Sequence, residues 1–217
     1  MNLSLVNPFS SLFQVIGVIL GLSSGPAPQS LQELCDTAVW KTEPTRAAGG
    51  RYAAEITIRC TVQPALGGDL GKLEAYVMDE MKQYGTIESG PTPGTFEGMP
   101  SKLMDYSVRR TTSSMDVTVR QDVQLASDLT SRLVASTRST QISGTGNAEH
   151  LKAVNVRAEV RKSSEPATDE VFFTVYGEVT KPWYVPESVL LSEARKRGPG
   201  EFQKLALKLL VEMAQNY

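Results

Sequence analysis

The sequence predicts an α+β fold, an antiparallel sheet covered by a long C-terminal helix, and three observations carry the prediction. In RYAAEITIRCTVQ, from residue 51, the even positions Tyr52, Ala54, Ile56, Ile58, Cys60 and Val62 are apolar. Arg51, Glu55, Thr57, Arg59 and Thr61 alternate with them, the signature of a strand with one buried face. The same period of two then dominates from Met104 to Tyr176. After Pro182 the period becomes helical, and the last helix is apolar around most of its circumference.

The chain has 217 residues, enough for one domain with one core. Its 22 Lys and Arg stand against 24 Asp and Glu. This near-balance gives no broad electrostatic footprint, so nucleic acid is not an expected partner. The first charged side chain is Glu33, and an apolar block from Leu12 to Leu22 with small residues after it precedes that position. Such a block is too short to span a bilayer and is built like the hydrophobic and cleavage regions of an export signal. The expectation is therefore an export signal at 1–27, a domain at 28–217, and a periplasmic or secreted protein. Only the terminal amine supplies positive charge ahead of the block; the alternative is a disordered or core-packed N-terminus. Glu33 in QELC argues against a lipid-modified Cys35. Cys35 and Cys60 fit either one disulfide or two buried thiols, and their spacing is not that of a metal site.

Along the domain, SLQELCDTAVWK reads as a short helix with Ser30 as its N-cap and Leu31, Leu34 and Val39 on its apolar side. AAGG breaks the chain before the strand at 51. In PALGGDLGKLEAYVMDEMKQYG, Leu66, Leu70, Leu73, Val77, Met81 and Tyr84 recur at helical spacing. TIESGPTPGTFEGMPS, from Thr86, reads as turns. At least five strands follow. Met104, Tyr106 and Val108 mark the first; Met115, Val117, Val119, Val123 and Leu125 the second; SRLVASTRSTQISG the third. Val154, Val156, Ala158 and Val160 mark the fourth, and Val171, Phe173 and Val175 the fifth. Short connections between them imply an antiparallel meander.

A meander with one apolar face must cover it. In the terminal helix Phe202, Leu205, Ala206, Leu209 and Met213 form a stripe that Leu207, Leu210, Val211 and Ala214 widen. That width suits a helix held in the concave side of a curved sheet. The ending KPWYVPESVLLSEARKRGPGEFQKLALKLL resembles the ending of START lipid-transfer domains. It has a proline-led helix at Val185 and Pro186, apolar anchors at Val189 and Leu190, and a final helix opened by Phe202 and Leu205. The resemblance implies the helix-grip fold of the START-like superfamily, a curved antiparallel sheet wrapped around a long C-terminal helix. It also implies a hydrophobic small molecule or lipid as ligand, with transient membrane contact, no cofactor and no metal.

On that resemblance the cavity is lined by Tyr106, Val119, Gln121, Phe173, Val175, Leu209 and Met213. Gln121 interrupts an apolar series and needs a polar partner if it faces inward; its alternative is a bulge or edge residue facing water. Gly198, Pro199 and Gly200 form a joint between two helices, either a hinge for ligand access or a simple stop and restart. Arg195, Lys196 and Arg197 suit the end of the preceding helix, or anionic headgroups. His150, the only histidine, sits in a turn-like sequence and reads as a solvated loop residue. Met78, Met81, Met104 and Met115 suit either an adaptable lining or ordinary packing. Two other functions fit the pattern. One is a structural or interaction module with a filled core. The other is a cyclase or aromatase enzyme, for which Glu55 and Asp105 are the available acids although both face away from the apolar side.

Overall fold

The structure is a computed structural model that describes residues 35–62, 70–72, 74, 75, 78, 86–111, 115–146, 148–162 and 168–215. Within these, the side chains at 110, 115, 140, 141 and 212–215 are not described. The expected export signal at 1–27 and most of the expected helical run from 64 to 85 lie outside the described residues. In that run, residues 70–72, 74, 75 and 78 are helical, as the spacing of Leu70 predicts.

Among the described residues, eight strands form one sheet. They are β1 (Val39–Arg46), β2 (Arg51–Val62), β3 (Thr86–Phe96), β4 (Met99–Thr111), β5 (Met115–Ser127), β6 (Arg132–Gly146), β7 (Leu151–Lys162) and β8 (Asp169–Thr180). The order across the sheet is β1-β2-β8-β7-β6-β5-β4-β3, and every neighbouring pair is antiparallel. From β4 to β8 the chain is the expected meander, and β3 adds one strand to it. The sheet is open, with β1 and β3 as its edges, and does not close around the helix.

Both edges differ from expectation. The segment read as a helix from Ser30 carries instead, from Val39, the edge strand β1, preceded by a bridge that pairs Cys35 with Cys60. Leu31 and Leu34, which suggested the helix, lie outside the described residues. The segment read as turns from Thr86 is β3, whose side chains are nearly all exposed. Pro91 and Pro93 lack the N–H that a central strand would use, and an outermost strand tolerates them. Gly90, at φ 95°, lies where an added Cβ would meet the Leu103 carbonyl oxygen at 2.5 Å. Only glycine fits that approach.

Cys35 and Cys60 are disulfide-bonded. The bond fastens the segment before β1 to β2 across a sequence separation of 25 residues, a constraint worth about 3 kcal/mol on the chain-entropy estimate.

The C-terminal helix (Glu187–Gln215) is the third correction. It is one helix of 29 residues, with Pro199 inside it, where two helices and a joint were expected. Pro199 removes one backbone hydrogen bond. Contacts on both sides hold the helix through that gap. Gly198 lies against the indole of Trp40 on β1, so closely that an added Cβ would meet the ring at 2.4 Å. Phe202, one turn on, is fully buried. Arg195 reaches β1, donating to the Pro44 carbonyl oxygen at 3.2 Å and pairing with Glu43 at 3.1 Å. Arg197 pairs with Glu193 four residues earlier at 2.7 Å. The basic cluster is therefore mid-helix, not at a helix end. Leu190, Ala194, Phe202, Leu205, Ala206 and Leu210 enter one apolar core with the inward residues of β2, β5, β7 and β8.

The two glycines of this segment should respond oppositely to alanine. Gly198→Ala forces the Trp40 ring aside and should cost about 1–3 kcal/mol. Gly200 has nothing within 4 Å of the added Cβ. Gly200→Ala should therefore stabilise the helix by about 0.5–1 kcal/mol. Urea unfolding of the two variants measures both; equal effects would contradict the Trp40 contact.

Candidate ligand site

Alternation along each strand gives the sheet two chemically different faces. The inner face, under the helices, takes the even residues of β2 and the odd residues of β5 and β8, and nearly all are apolar and buried. Val119, Phe173 and Val175 belong to the main core, and Leu209 packs against it half-buried. Tyr106 belongs to a smaller cluster with Met104, Val108 and Val123. Met78, from the helical segment after β2, packs against both clusters and so covers the β4–β5 part of the face. Met213 lies on the C-terminal helix, with its side chain outside the described residues.

Gln121 faces inward. It is 2% exposed and its Nε2 donates to Ser139 Oγ at 3.3 Å. A register shift between Arg120 and Gln121 opposite β6 brings Ser139 into line with it. On the other side Gln121 pairs with Tyr106 of β4. Tyr106, Gln121 and Ser139 thus form a row of polar groups crossing three strands of an apolar face. Gln121 is legible in the sequence as an interruption. Ser139 is not, because the bulge that aligns it leaves no local mark. Among the described residues, side chains of the sheet and the C-terminal helix pack together in the main core.

The outer face is polar. Glu159 is 4% exposed and accepts from Arg132 at 2.7 Å, Arg157 at 2.8 Å and Arg161 at 2.5 Å. Glu97, at the β3–β4 turn, binds Arg132 and Arg157 at 2.5 and 2.7 Å. Phe172 lies beneath the Arg161 guanidinium at 4.7 Å. Beside this ladder an open groove of about 350 Å³ is lined by Lys41, Glu55, Ser136, Asn155, Arg157, Thr174 and Tyr176. Burial first, and then its hydrogen bond to Glu178, push the Tyr176 phenol up to about 12, so it acts as a donor. The groove offers mainly hydroxyls, an amide and charges, with Val156 as the apolar member of its lining. Glu55 stands in it, 3.6 Å from Lys41. Asp105 bonds Ser89 at 2.5 Å near the β3 edge. Both acids face away from the apolar interior, as their strand parity implies. His150 is half-buried in the turn before β7, with Nδ1 3.5 Å from Thr180 Oγ1. Among the described residues, no group of three or more His, Cys, Asp or Glu is placed to hold a metal ion.

The element order, two strands, a helical segment, a six-strand meander and a terminal helix on one sheet face, is that of a helix-grip. The fold is an α+β helix-grip. No protein-family model matches the sequence. No curated protein matches it either. Among solved structures, the chain is similar to a START superfamily protein from Mycobacterium smegmatis, at 14% identity over 75% of this chain and 99% of that one, with TM-score 0.43. It is also similar to the lipid transfer and protein localization domain of human StarD13 (DLC2), at 10% identity over 82% and 89% of the two chains, TM-score 0.44. The Mll3558 protein from Rhizobium loti is 17% identical over 77% and 99%, TM-score 0.39.

The outer face makes stability acid-sensitive. Burial alone would raise the Glu159 carboxyl, but hydrogen bonds from Arg132, Arg161 and Arg157 outweigh it and hold the group at about 2. Asp128 is also well below its ordinary value. Burial opposes this, but hydrogen bonds from Ser131, Arg132 and Thr130 prevail. Both folded values are depressed, so the stabilisation is complete above the unfolded value and is lost as pH falls through the folded one. Unfolding free energy should decline from pH 4.5 toward about 2. Glu159→Gln should flatten that decline and cost about 1–3 kcal/mol at neutral pH. Denaturation at a series of pH values tests both, and an unchanged acid limb in the variant would contradict the assignment.

Proposed function

We propose that the protein binds, and transfers, a hydrophobic small molecule of lipid type against the inner face of the sheet. The observation that carries this reading is the polar row Tyr106, Gln121 and Ser139, buried in an otherwise apolar face beneath a methionine. An apolar chain leaving water gains about 0.8 kcal/mol per methylene, and a few placed polar groups fix the orientation of its head. Met78 and Met104 have unbranched side chains that repack around different shapes. Access is by displacement of the C-terminal helix about Gly198, Pro199 and Gly200, where Pro199 already omits one backbone hydrogen bond. That movement has to lift Gly198 from Trp40. The disulfide between Cys35 and Cys60 is at home in an oxidising compartment, which supports export of the protein.

A second reading, a structural module with a filled core, is favoured by Val119, Phe173 and Val175, each no more than 2% exposed in the main core. Native mass spectrometry of the protein purified from its own host, followed by solvent extraction, separates the two. The carrier reading expects a lipid adduct that Gln121→Leu releases or loosens while the melting temperature is kept. An adduct-free protein that takes up no fatty acid or sterol would leave the structural module.

A further inference from the structure

The turn between β8 and the C-terminal helix is arranged inside out. Pro182 and Val185 are buried, while Trp183 and Tyr184 between them are 91% and 49% exposed. The exposure does not come from a loose segment. Val185 N donates to the Pro182 carbonyl oxygen at 3.1 Å, and Lys181 Nζ donates to the carbonyl oxygens of Pro182 and Val185 at 3.2 and 2.7 Å. The two rings pack edge to face, with centroids 5.7 Å apart. The turn therefore presents an ordered pair of amphipathic rings to solvent. Single exposed apolar side chains such as Leu129 and Val39 are ordinary, but Trp183 is the most exposed large hydrophobic among the described residues.

We infer that the Trp183–Tyr184 turn is an anchor for a lipid surface, seating both rings at headgroup depth. Tryptophan and tyrosine favour that depth because one end of each ring system is apolar and the other hydrogen-bonds. The charges beside the turn suit the same surface. Lys181 precedes it, and Thr180 N donates to the His150 carbonyl oxygen, which brings the start of β7 with Lys152 alongside. Arg51, opposite Thr180, is paired with Glu178 at 3.0 Å, and Glu149 and Glu187 also lie at this end. Cations and acids nearly balance, so attraction to anionic lipid is secondary to the aromatic contact. No helix among the described residues is long and apolar enough to cross a membrane, and the anchor is peripheral. The inference goes beyond the interior ligand and does not require one.

The chain has two tryptophans, and the other, Trp40, is half-buried against Gly198. Tryptophan emission with brominated phosphatidylcholine as quencher therefore reads Trp183 directly. The full chain is titrated with vesicles of phosphatidylcholine alone and of phosphatidylcholine with phosphatidylglycerol, alongside Trp183→Ser and Trp183→Phe. The expected result is blue-shifted, quenched emission with both vesicles. Partitioning of the variants, which lack that fluorophore, is read by co-sedimentation with the same vesicles. It should fall about tenfold in Trp183→Ser and be largely kept in Trp183→Phe, with all three proteins melting alike. Three results would overturn the inference: no emission change with either vesicle, equal partitioning of wild type and Trp183→Ser, or a dimer in solution that Trp183→Ser dissolves. The last would make a second copy of the chain the occupant.

Discussion

An open antiparallel sheet with one apolar face cannot be stable until that face is covered, and this requirement organises the molecule. Eight strands place Ile56, Ile58, Phe173, Val175 and their neighbours on one side. A helix of 29 residues is about 43 Å long, enough to run the length of such strands. Its buried residues Leu190, Ala194, Phe202, Leu205 and Leu210 recur at helical spacing and meet the sheet. One side meets the inner face of the sheet, and Gly198, on the same helix, meets the indole of the edge strand β1.

The parts of this arrangement that rest on side-chain burial were legible in the sequence. The even positions of β2 alternate in the sequence and are buried in the structure, and β7 and β8 follow the same rule. What was not legible is the pair of edges. In β1 only Pro44 is buried and only Trp40 half-buried, and in β3 nothing is fully buried. Edge strands owe their existence to backbone pairing with a neighbour, and backbone pairing leaves no periodicity to read. The terminal joint failed for a related reason. Gly-Pro-Gly is a strong local stop signal, yet Gly198 is needed because Trp40, far away in sequence, occupies the place of its side chain.

The candidate site shows the same division. Gln121 was visible as an interruption of the series from Met115 to Leu125, and Tyr106 as an inward position. Their partner Ser139 became visible only with the register shift of β6. The outer face was readable as polar but not as a network, because Glu97, Arg132, Arg157, Glu159 and Arg161 come from three separate segments and meet only when the strands pair. The two sides of the sheet therefore differ. The apolar side demands a helical cover and carries the row Tyr106, Gln121 and Ser139, while the charged side ties β6, β7 and the β3–β4 turn together through ion pairs.

Hydrogen exchange on the intact chain, read by mass spectrometry, tests most directly whether the C-terminal helix is an obligatory cover and not an appendage. The account predicts that amides around Phe202 to Leu210 exchange no faster than those of β2 and β8, because a helix displaced as a unit keeps its internal hydrogen bonds. A helix that exchanges quickly while β2 and β8 stay protected would contradict it.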